Sequence, residues 1–444
     1  MAKTINEPAR NIAIFDEVDV LVVGAGPAGH CAAIAAARSG VGNVALVERY
    51  NHLGGMATGG YVIAIPHMSL GETRVIQGLQ QEWIDRLEKF PDGVYAPKKE
   101  ETGLKDPDII AKYDIYSGLV VAGAVRYGAY VDADILKIVL DQMIEEAKIK
   151  TYLHTWGVAA VMDGNRITGV VLESKEGRKA IMAKVVIDCT GDADILAFAG
   201  GEYEDARELG LRSSQTASVY RLGGVDNLKF GKWRNANGEE WREVHMPAMQ
   251  ALAGFRFSPF PAPRNDICWV NNWIDKYCCD VKDMTETDML VRRTLMEAIN
   301  YMKKLPGMEG AYLLDINPQT GTRGSRRIKG EYYFTNDDLT NAPDQPTAIS
   351  AVARGGGPDK NKPVEVPYGV MVPVKIESLL VAGRSFSSAL DANNAANLIP
   401  HCATLGHAAG VAAAVSLNSG ASVRSVDITA VQKILKDQGA WLPR

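Results

Sequence analysis

The fold is decided by residues 18–49, which read V-D-V-L-V-V-G-A-G-P-A-G-H-C-A-A-I-A-A-A-R-S-G-V-G-N-V-A-L-V-E-R. Val20 to Val23 form the uninterrupted aliphatic run that is typical of a strand buried on both faces of a parallel sheet. A glycine-rich turn, an alanine-rich helix and a second aliphatic strand follow, and Glu48 ends that strand. The stretch therefore predicts a strand, helix and strand unit of the parallel α/β type.

The turn has the glycine spacing of a dinucleotide-binding motif, because Gly24, Gly26 and Gly29 stand in G-x-G-x-x-G order. The first glycine allows the tight turn, the second lets the backbone approach a pyrophosphate, and the third lets the helix pack closely on the strand. Pro27 suits the first helical turn, where a missing N–H costs nothing. Glu48 lies where an acid accepts hydrogen bonds from ribose hydroxyls and disfavours a 2′-phosphate. The motif predicts FAD or NAD, and not NADP.

The composition is that of an ordinary soluble protein with more than one folding unit. The 444 residues include 48 basic and 53 acidic side chains, so the formal net charge is −5. This balance gives no reason to expect nucleic acid or an anionic membrane as a partner. The N-terminal segment carries acids and lacks the apolar run of a signal peptide, and residues 392–423 contain Asn, Pro and His where a membrane span would be apolar. We therefore expect a cytoplasmic protein.

The six cysteines do not form a C-x-x-C motif. This disfavours a dithiol redox centre, an iron–sulfur site and a zinc ribbon, so we expect no metal. Cys278 and Cys279 are adjacent, and we expect both to be buried free thiols.

The next part of the chain predicts helices and a β-meander. Residues 78–90 and 132–148 have apolar side chains at helical spacing. Between 151 and 190, two turn sequences separate three strand-like runs, and Thr190 to Asp192 end the third run in another tight turn. The glycine-rich loop 51–60 follows Glu48, where the chain of many flavoproteins runs along the cofactor toward the flavin ring; a flexible surface loop is the alternative.

Residues 203–350 contain four of the seven tryptophans, long loops and two predicted amphipathic helices near 285–304. We interpret this region as the part that binds the substrate. Within it, the basic loop 321–327 reads G-T-R-G-S-R-R. Guanidinium groups suit carboxylates and polarised oxygens, so the loop is either an anion or carbonyl clamp or an ordinary solvated loop.

The last part of the chain returns to the nucleotide-binding pattern. Residues 354–363 are a linker by composition, Leu379 to Arg384 predict a third buried strand that ends in a glycine turn, and Ala403 to Val415 predict a helix of small residues. Small residues let a helix approach its neighbours closely, and the helix N-terminus favours an electron-rich group.

Taken together, these motifs resemble the FAD-dependent oxidoreductase family within the glutathione-reductase-like flavoprotein superfamily. The resemblance is carried by G-A-G-P-A-G with Glu48, L-G-G-M-A-T at 53–58, V-I-D-C-T-G-D-A-D at 186–194, R-G-S-R-R-I-K-G-E-Y at 323–332, and L-L-V-A-G-R at 379–384 with P-H-C-A-T-L-G-H-A-A-G at 400–410. It covers nearly the whole chain and implies FAD as the cofactor, held without a covalent bond by default.

The resemblance also implies which residues meet FAD. Gly55 to Thr58 would line the flavin, the Val158 backbone would meet the adenine, Thr190 to Asp192 would lie beside the pyrophosphate, and Arg384 with the start of the last helix would approach the ribityl chain and the pyrimidine end of the flavin. With the motif residues, the predicted cofactor site comprises Gly24, Gly26, Pro27, Ala28, Gly29, Glu48, Arg49, Gly55, Met56, Ala57, Thr58, Val158, Thr190, Gly191, Asp192, Gly383, Arg384 and Gly406.

The implied fold class is α/β. We predict a Rossmann-like FAD-binding domain with an inserted β-meander, together with a discontinuous mixed α+β substrate domain. The FAD-binding domain is assigned to residues 12–75, 128–202 and 364–444, the substrate or cap domain to 76–127 and 203–353, and the linker to 354–363.

The predicted reaction is hydride transfer between flavin N5 and a carbon of a small organic substrate. His401 is the first acid/base candidate because the ordinary histidine pKa lies near neutrality and the residue precedes the last helix; His67 is the second. Arg323, Arg326 or Arg327 would bind a substrate oxygen or carboxylate. Family members often carry Arg-Val-Met-Pro-Thr where this chain has Asn-Leu-Ile-Pro-His, and His52 is also unusual, which suggests altered substrate chemistry.

Other functions stay open at this point. A flavin monooxygenase would use the same FAD frame with oxygen, and an electron-transfer flavoprotein subunit would need a partner for its chemistry. An RNA-modifying flavoprotein is disfavoured by the acidic charge. The sequence contains no second G-x-G-x-x-G, so we do not expect a built-in NAD(P)H domain, and the electron donor or acceptor is unidentified. A homo-oligomer is left open.

Overall fold

Helices and strands alternate along the chain in the computed structural model, which describes residues 3–206, 215–356 and 362–443. The helices are α1 (Pro27–Arg38), α2 (Leu79–Leu87), α3 (Pro107–Tyr113), α4 (Ala133–Glu146), α5 (Asp194–Phe198), α6 (Asn227–Ala236), α7 (Gly238–Glu240), α8 (Met246–Ala253), α9 (Val281–Met302), α10 (Asn336–Asn341), α11 (Leu390–Ala396), α12 (Ile399–Ser419) and α13 (Ile428–Asp437).

The strands vary from two-residue pairs to a twelve-residue strand. They are β1 (Ala13–Val23), β2 (Val44–Val47), β3 (Ala64–Ile65), β4 (Ser69–Leu70), β5 (Thr73–Arg74), β6 (Val94–Tyr95), β7 (Val120–Val121), β8 (Ala124–Val125), β9 (Ala129–Val131), β10 (Lys150–Tyr152), β11 (Trp156–Asp163), β12 (Arg166–Ser174), β13 (Gly177–Asp188), β14 (Tyr203–Asp205), β15 (Thr216–Ala217), β16 (Tyr220–Gly223), β17 (Arg256–Pro261), β18 (Ile267–Trp273), β19 (Tyr312–Ile316), β20 (Gly321–Thr322), β21 (Arg326–Ile328), β22 (Ala348–Gly355), β23 (Pro363–Pro367) and β24 (Leu379–Val381).

The main sheet has seven strands in the order β10-β2-β1-β13-β12-β11, with β24 also paired to β13. The pairs among β10, β2, β1, β13 and β24 are parallel. The aliphatic run Val20 to Val23 is buried throughout because side chains cover both faces of β1. The predicted strand, helix and strand unit is present as β1, α1 and β2, which confirms the predicted α/β class.

The β-meander is continuous with this sheet and is not a separate layer. β11, β12 and β13 pair antiparallel, as predicted. Along one edge β13 pairs with β1 from Lys179 to Asp188; along the other it pairs first with β12 and then, from Val186 to Asp188, with β24. One long strand therefore joins the meander to the nucleotide-binding strands.

Helix α1 packs on α12 so closely that the two backbones are in contact at the glycines of α12. A Cβ on Gly406 would lie 1.9 Å from the carbonyl oxygen of Ala28, and one on Gly410 would lie 2.2 Å from that of Ala32. Real side chains do not approach that closely, so only glycine allows this packing. Helices α2 and α4, which agree with the predicted helices 78–90 and 132–148, belong to the same buried cluster.

A second core lies in the region from residue 220 to 311. It is built from the antiparallel sheet β17-β18-β16-β19 and apolar side chains of α6, α8 and α9. The expectation of two helices near 285–304 is wrong, because a single helix runs from Val281 to Met302. That segment contains no glycine or proline to break the helix.

The last small-residue helix begins earlier than predicted. Its first residue is Ile399 and not Ala403, because Pro400 is compatible with a first helical turn. His401 is therefore inside the helix and does not precede it.

No single helix in the described parts of the chain is long and apolar enough to cross a membrane. One pair, α11 and α12, passes by length and composition only, with a bend of 92° between its members. Most residues of α12 are buried against the rest of the protein.

The domain boundaries stay a prediction. Of the predicted linker 354–363, residues 357–361 lie outside the described residues. The strands on either side of it, β22 and β23, pair with each other antiparallel.

The packing of α1 on α12 can be tested by Gly410→Ala. We expect the variant to lose on the order of 1–3 kcal/mol or more of unfolding free energy, because its methyl group overpacks the helix contact. Urea unfolding followed by circular dichroism measures this loss. Gly238→Ala is the control: an added Cβ at Gly238 meets nothing within 4 Å, so its stability should stay the same or rise. Equal stability of the two variants would contradict the packing argument.

Candidate functional site

The first turn after β1 is built for close approach of a ligand. Gly24 has a φ of +93°, and a Cβ there would lie 2.5 Å from the carbonyl oxygen of Cys189. A Cβ on Gly29 would lie 1.7 Å from the carbonyl oxygen of Gly24. Gly26, by contrast, faces open space and precedes α1 without a side-chain cap. The first N–H groups of α1 are therefore left for a ligand, and an anion suits them best.

Glu48 holds the turn from the neighbouring strand. Its carboxylate accepts hydrogen bonds from the backbone N–H of Ala25 at 2.7 Å and of Tyr50 at 3.0 Å. The side chain is buried, with 6% of its surface exposed. The acid at the end of β2 therefore fixes the turn as well as facing the cavity beside it.

A cavity, called here the cleft, opens at the ends of β1, β2, β13 and β24. Its lining combines the turn after β1 with Asn271 from the second core and with Gln319 and Arg323 from the segment after β19. Of the predicted cofactor residues, those that line the cleft are Gly24, Gly26, Pro27, Ala28, Glu48, Arg49, Gly55, Met56, Thr190, Gly191, Gly383 and Arg384.

The other predicted cofactor residues lie behind this lining. Gly29 and Gly406 pack against backbone, and Ala57 and Thr58 are fully buried in the loop after β2. Val158 is half-buried, while its neighbours Trp156 and Gly157 line the cleft. Asp192 acts on the cleft through Arg384.

The Asp192 and Arg384 ion pair closes one wall of the cleft. Arg384 donates to the Asp192 carboxylate at 2.9 Å, and the Ser325 hydroxyl donates to the same oxygen at 2.7 Å. Burial would raise the pKa of Asp192, but Arg384 and Ser325 outweigh it and hold the pKa below the usual range. Gly191 must be glycine here, because a Cβ would lie 2.9 Å from the guanidinium carbon of Arg384.

The loop after β2 packs directly on the motif. A Cβ on Gly55 would lie 2.9 Å from the Cα of Gly26. The sulfur of Met56 accepts a hydrogen bond from the Thr322 backbone N–H at 3.5 Å. The loop therefore connects the nucleotide-binding turn to strand β20, and Met56 forms an apolar part of the cleft wall.

The three arginines of the basic loop have different surroundings. Arg323 lines the cleft, donates to the Asn271 side chain at 3.4 Å, and stacks over Trp273 at 5.4 Å. Arg326 pairs with Asp194 at 2.7 Å. Arg327 is buried and pairs with Glu204 at 3.0 Å. Of the three, the cleft lining includes Arg323 alone.

The two candidate acid/base histidines do not line the cleft. His401 is 3% exposed, and neither ring nitrogen has a hydrogen-bond partner among the described residues. Burial, assisted by the nearby His67, lowers the pKa of His401 to about 3. His67 has a φ of +61°, and burial followed by the charge of Arg126 lowers its pKa.

His52 lies in the same glycine-rich segment but is held by neighbours. Its ring nitrogens contact Asn51 at 2.9 Å and Gln319 at 3.3 Å. A Cβ on Gly59 would lie 1.9 Å from its Nε2 atom, so the loop is packed closely around the ring. The unusual histidine therefore joins the loop to Gln319, two residues before strand β20.

Comparison with known proteins identifies the family. A family model described as FAD dependent oxidoreductase matches residues 19–435. The chain belongs to this family. It is accordingly an oxidoreductase, and of the two dinucleotides that the motif allows, FAD is its cofactor.

Relatives of known name match part of this FAD-dependent oxidoreductase. Digeranylgeranylglycerophospholipid reductase 2 of Methanopyrus kandleri is 27% identical over 47% of this chain and 46% of its own length. Thiamine thiazole synthase of Sulfolobus acidocaldarius is 29% identical over 46% of this chain and 66% of its own length. The chain thus matches less than two thirds of the length of either relative. A geranylgeranyl bacteriochlorophyll reductase-like protein of Thermoplasma acidophilum has a TM-score of 0.46 and 14% identity, covering 95% of this chain and 83% of that one.

The hydrogen-bond donors and acceptors that face the cleft match those that FAD needs. Gly26 leaves room beside the uncapped start of α1, which suits a pyrophosphate. The buried Nε atom of Arg384 has no hydrogen-bond partner among the described residues, so it is a donor that awaits an acceptor. Glu48 supplies carboxylate oxygens for ribose hydroxyls. These features come from distant parts of the chain but share one lining.

Trp156 is a cleft residue that the sequence analysis did not single out. It is 53% exposed, and the Arg49 guanidinium lies 5.2 Å from the centre of its ring. The preceding residue, Thr155, donates its N–H to the Glu48 carbonyl at 2.9 Å, so the indole lies beside the acid that is predicted to bind the ribose. An exposed tryptophan at the first residue of a strand was the available signal. Its planar surface suits the adenine of FAD.

We expect Trp156→Ala to weaken FAD binding by on the order of 1–3 kcal/mol, the usual loss when a base loses an aromatic stacking surface. Because the indole is half exposed, the variant should fold normally. Titration of the apoprotein with FAD, followed by flavin fluorescence, measures the change. Trp156→Phe keeps an aromatic ring and should retain most of the affinity; if the alanine variant binds FAD as tightly as the wild type, Trp156 has no role in holding the cofactor.

Proposed function

We propose that this FAD-dependent oxidoreductase transfers a hydride between flavin N5 and a carbon of a small organic substrate that carries a carboxylate or a carbonyl oxygen. The observation that carries the proposal is the shared lining of the cleft: the cofactor-type residues Gly26 and Arg384 border the same space as Arg323 and Asn271. When bound, FAD supplies the two-electron redox step. The rest of the lining supplies the position and charge for the substrate.

Arg323 is the proposed substrate-binding residue. Its guanidinium group is held from two sides, by stacking over Trp273 and by the hydrogen bond to Asn271. A guanidinium group held in this way presents N–H donors in a fixed plane, which matches the geometry of a carboxylate or a polarised oxygen. Met56 and Val62 add apolar side chains to the same lining, and an apolar lining strengthens the interaction of a charged donor with its acceptor.

Arg326 and Arg327 have structural partners in this proposal. The ion pair of Arg326 with Asp194 ties β21 to the start of α5. The ion pair of Arg327 with Glu204 accompanies the pairing of β14 with β21. Both arginines therefore support the loop that presents Arg323, and Arg326 is a positioning residue in place of the catalytic role first predicted for it.

His401 is the proposed base, with His67 as its neighbour. Burial lowers the pKa of His401 to about 3, so the ring is neutral between pH 5 and 8 but is a weak base in the free protein. To accept a proton in this proposal, it needs a bound substrate or cofactor that raises its pKa toward neutrality. Its two unpartnered nitrogens are consistent with exchange of a proton with a bound molecule. Its position in the first turn of α12 puts it one residue from Cys402, which lines the cleft.

We also propose that the protein belongs to the glutathione-reductase-like superfamily and that its electron partner is a separate molecule. The β-meander between β10 and β24, in a sheet built around the glycine motif, supports the first point. The lack of a second G-x-G-x-x-G in the sequence supports the second.

The proposal is tested by mixing the oxidised holoenzyme without oxygen with a panel of small organic acids, alcohols and aldehydes, and by recording flavin absorbance. A substrate of the proposed kind bleaches the flavin without oxygen. Bleaching by none of the panel, together with oxygen consumption equal to the amount of a hydroxylated product, would instead identify a monooxygenase.

With a substrate from that panel, we expect Arg323→Met to lower kcat/KM about 10- to 100-fold, because a hydrogen bond to a charged group contributes about 1.5–3 kcal/mol. Arg256→Met is the matched control. Arg256 also stacks over Trp273, at 4.8 Å, but it is exposed and does not line the cleft. Equal losses in both variants would show that disturbance of Trp273, and not substrate binding, causes the effect.

We expect His401→Asn to lower kcat about 100-fold or more, the usual contribution of a general base. An ordinary histidine base is lost by protonation as the pH falls through about 6.5. Because the pKa of His401 is about 3, protonation of His401 should not lower the wild-type kcat/KM in that range. His407→Asn is the control: His407 is buried in the same helix but bonds to Gln438 at 2.8 Å. Unchanged turnover of His401→Asn at every pH would remove His401 from the mechanism.

A further inference from the structure

Two adjacent thiols lie against the ion pair that closes the cleft wall. Cys278 and Cys279 are in the segment between β18 and α9, and their sulfur atoms and a carboxylate oxygen of Asp192 all lie within 4.8 Å of one another. The expectation that both thiols are buried is wrong: Cys278 is half-buried and Cys279 is exposed.

The two thiols have different surroundings. The Cys278 thiol has a single hydrogen, and three acceptors are within its reach: the Gly324 carbonyl at 3.5 Å, the Asp192 carboxylate at 3.6 Å and the Cys279 sulfur. Cys279 is the more exposed residue of the two. The remaining cysteines of the chain are all buried. A reagent in solution therefore meets Cys279 first, with Cys278 next to it.

A metal ion is not the best occupant of this cluster. The Asp192 oxygen that faces the thiols already accepts from Ser325 and Arg384. The positive charge of Arg384 would also oppose a cation at this place. Because these groups disfavour a metal ion, the reaction to consider for the two thiols is formation of a disulfide between them.

We propose that Cys278 and Cys279 form a vicinal dithiol that hydroperoxides oxidise reversibly to a disulfide. The Cys279 thiolate attacks one oxygen of the peroxide, the O–O bond breaks, and hydroxide or an alkoxide leaves with the electron pair. The resulting sulfenic acid is attacked by the Cys278 sulfur, the new S–S bond replaces the S–O bond, and water leaves. In total, two thiols are oxidised and one peroxide is reduced.

The electrostatics of the pair support this order of events. The hydrogen bond from Cys278, with smaller effects from Ser325 and Arg326, lowers the pKa of Cys279 to about 7 against the opposing effects of burial and Asp192. The same hydrogen bond, followed by burial, raises the pKa of Cys278. At neutral pH a large share of Cys279 is thus the reactive thiolate, while Cys278 remains a thiol.

The adjacency of the two residues makes the oxidation reversible. Neighbouring Cα atoms are about 3.8 Å apart across a trans peptide bond, whereas the Cα atoms of ordinary disulfides are about 4.4–6.8 Å apart. A disulfide between neighbours is therefore strained, and strained, exposed disulfides are the easily reduced ones. A C-x-x-C motif is not needed for such a site.

Oxidation would act on the cofactor through Asp192. A Cys278 sulfur in a disulfide has no hydrogen to donate to Asp192 or to Gly324. Gly324 belongs to the loop that carries Arg323, and Asp192 holds Arg384 in the cleft wall. We expect the oxidised protein to release FAD at least about three times faster than the reduced protein.

The test uses the purified holoenzyme and hydrogen peroxide. One equivalent should lower the protein mass by about 2 Da, with the change mapped to the peptide that contains both cysteines, and a dithiol reductant should reverse it. Gain of about 32 Da at Cys279, no reaction, or a bound metal ion that protects both thiols would overturn the proposal. Flavin fluorescence after dilution measures FAD release, and equal release from both forms would overturn the link to the cleft.

Single variants separate the two thiols. Cys279→Ser should not react, whereas Cys278→Ser should stop at the sulfenic acid, which a dimedone reagent traps. Cys268→Ala is the matched control, because Cys268 is fully buried in the second core, and it should oxidise as the wild type does. Formation of the mass loss in Cys279→Ser would show that the disulfide involves other residues.

Discussion

The contact between α1 and α12 is the constraint on which the rest of the structure depends. The two helices meet at backbone distance because Gly406 and Gly410 leave room for the carbonyl oxygens of Ala28 and Ala32. This contact brings α12, which follows β24 by fewer than twenty residues, under the glycine-rich turn after β1. The first residues of α12 then become part of the cleft lining. A larger residue at either glycine would move this part of the lining and the start of α1 apart.

A second set of contacts joins the ends of β13 and β24 to the basic loop 321–327. Asp192 follows β13, Arg384 follows β24, and Ser325 belongs to the basic loop, yet all three meet at one carboxylate oxygen. The charge of Arg384 is thereby partly balanced before any ligand binds. Because the carboxylate is buried, loss of one partner would leave the others with poor solvation. The position of Arg323 and the shape of the cleft wall therefore depend on the same few hydrogen bonds.

The sequence predicts structure well where a residue type has a single structural role. Glycine spacing after an aliphatic strand specifies a backbone geometry, so the β1, α1 and β2 unit and the place of Glu48 followed directly from the residues. The roles of side chains that serve many purposes were harder to predict from the sequence. Arg323, Arg326 and Arg327 look alike in the sequence, but their roles depend on partners such as Asn271, Asp194 and Glu204 that are far away along the chain.

The ends of helices and the exposure of side chains were also harder to predict, because both depend on contacts with other parts of the chain. Nothing in the sequence between Val281 and Met302 required a break, and the position of His401 inside α12 depended on Pro400 starting the helix. The exposure of Trp156 and Cys279 depends on which neighbours cover them. Periodicity reports one face of an element at a time, and it does not tell whether another part of the chain lies over that face.

The pairing of β13 has a consequence for how the protein folds during its synthesis. This strand needs β1 on one edge and β24 on the other, and the cleft is lined by residues from Val23 to Cys402. During synthesis, the apolar surface of the N-terminal unit therefore stays uncovered at least until the ribosome has made residues 379–402. Contacts so distant along the chain form slowly, and exposed surface of this kind favours aggregation or capture by chaperones. Supply of FAD should therefore help at the last stage of maturation and do little for nascent chains.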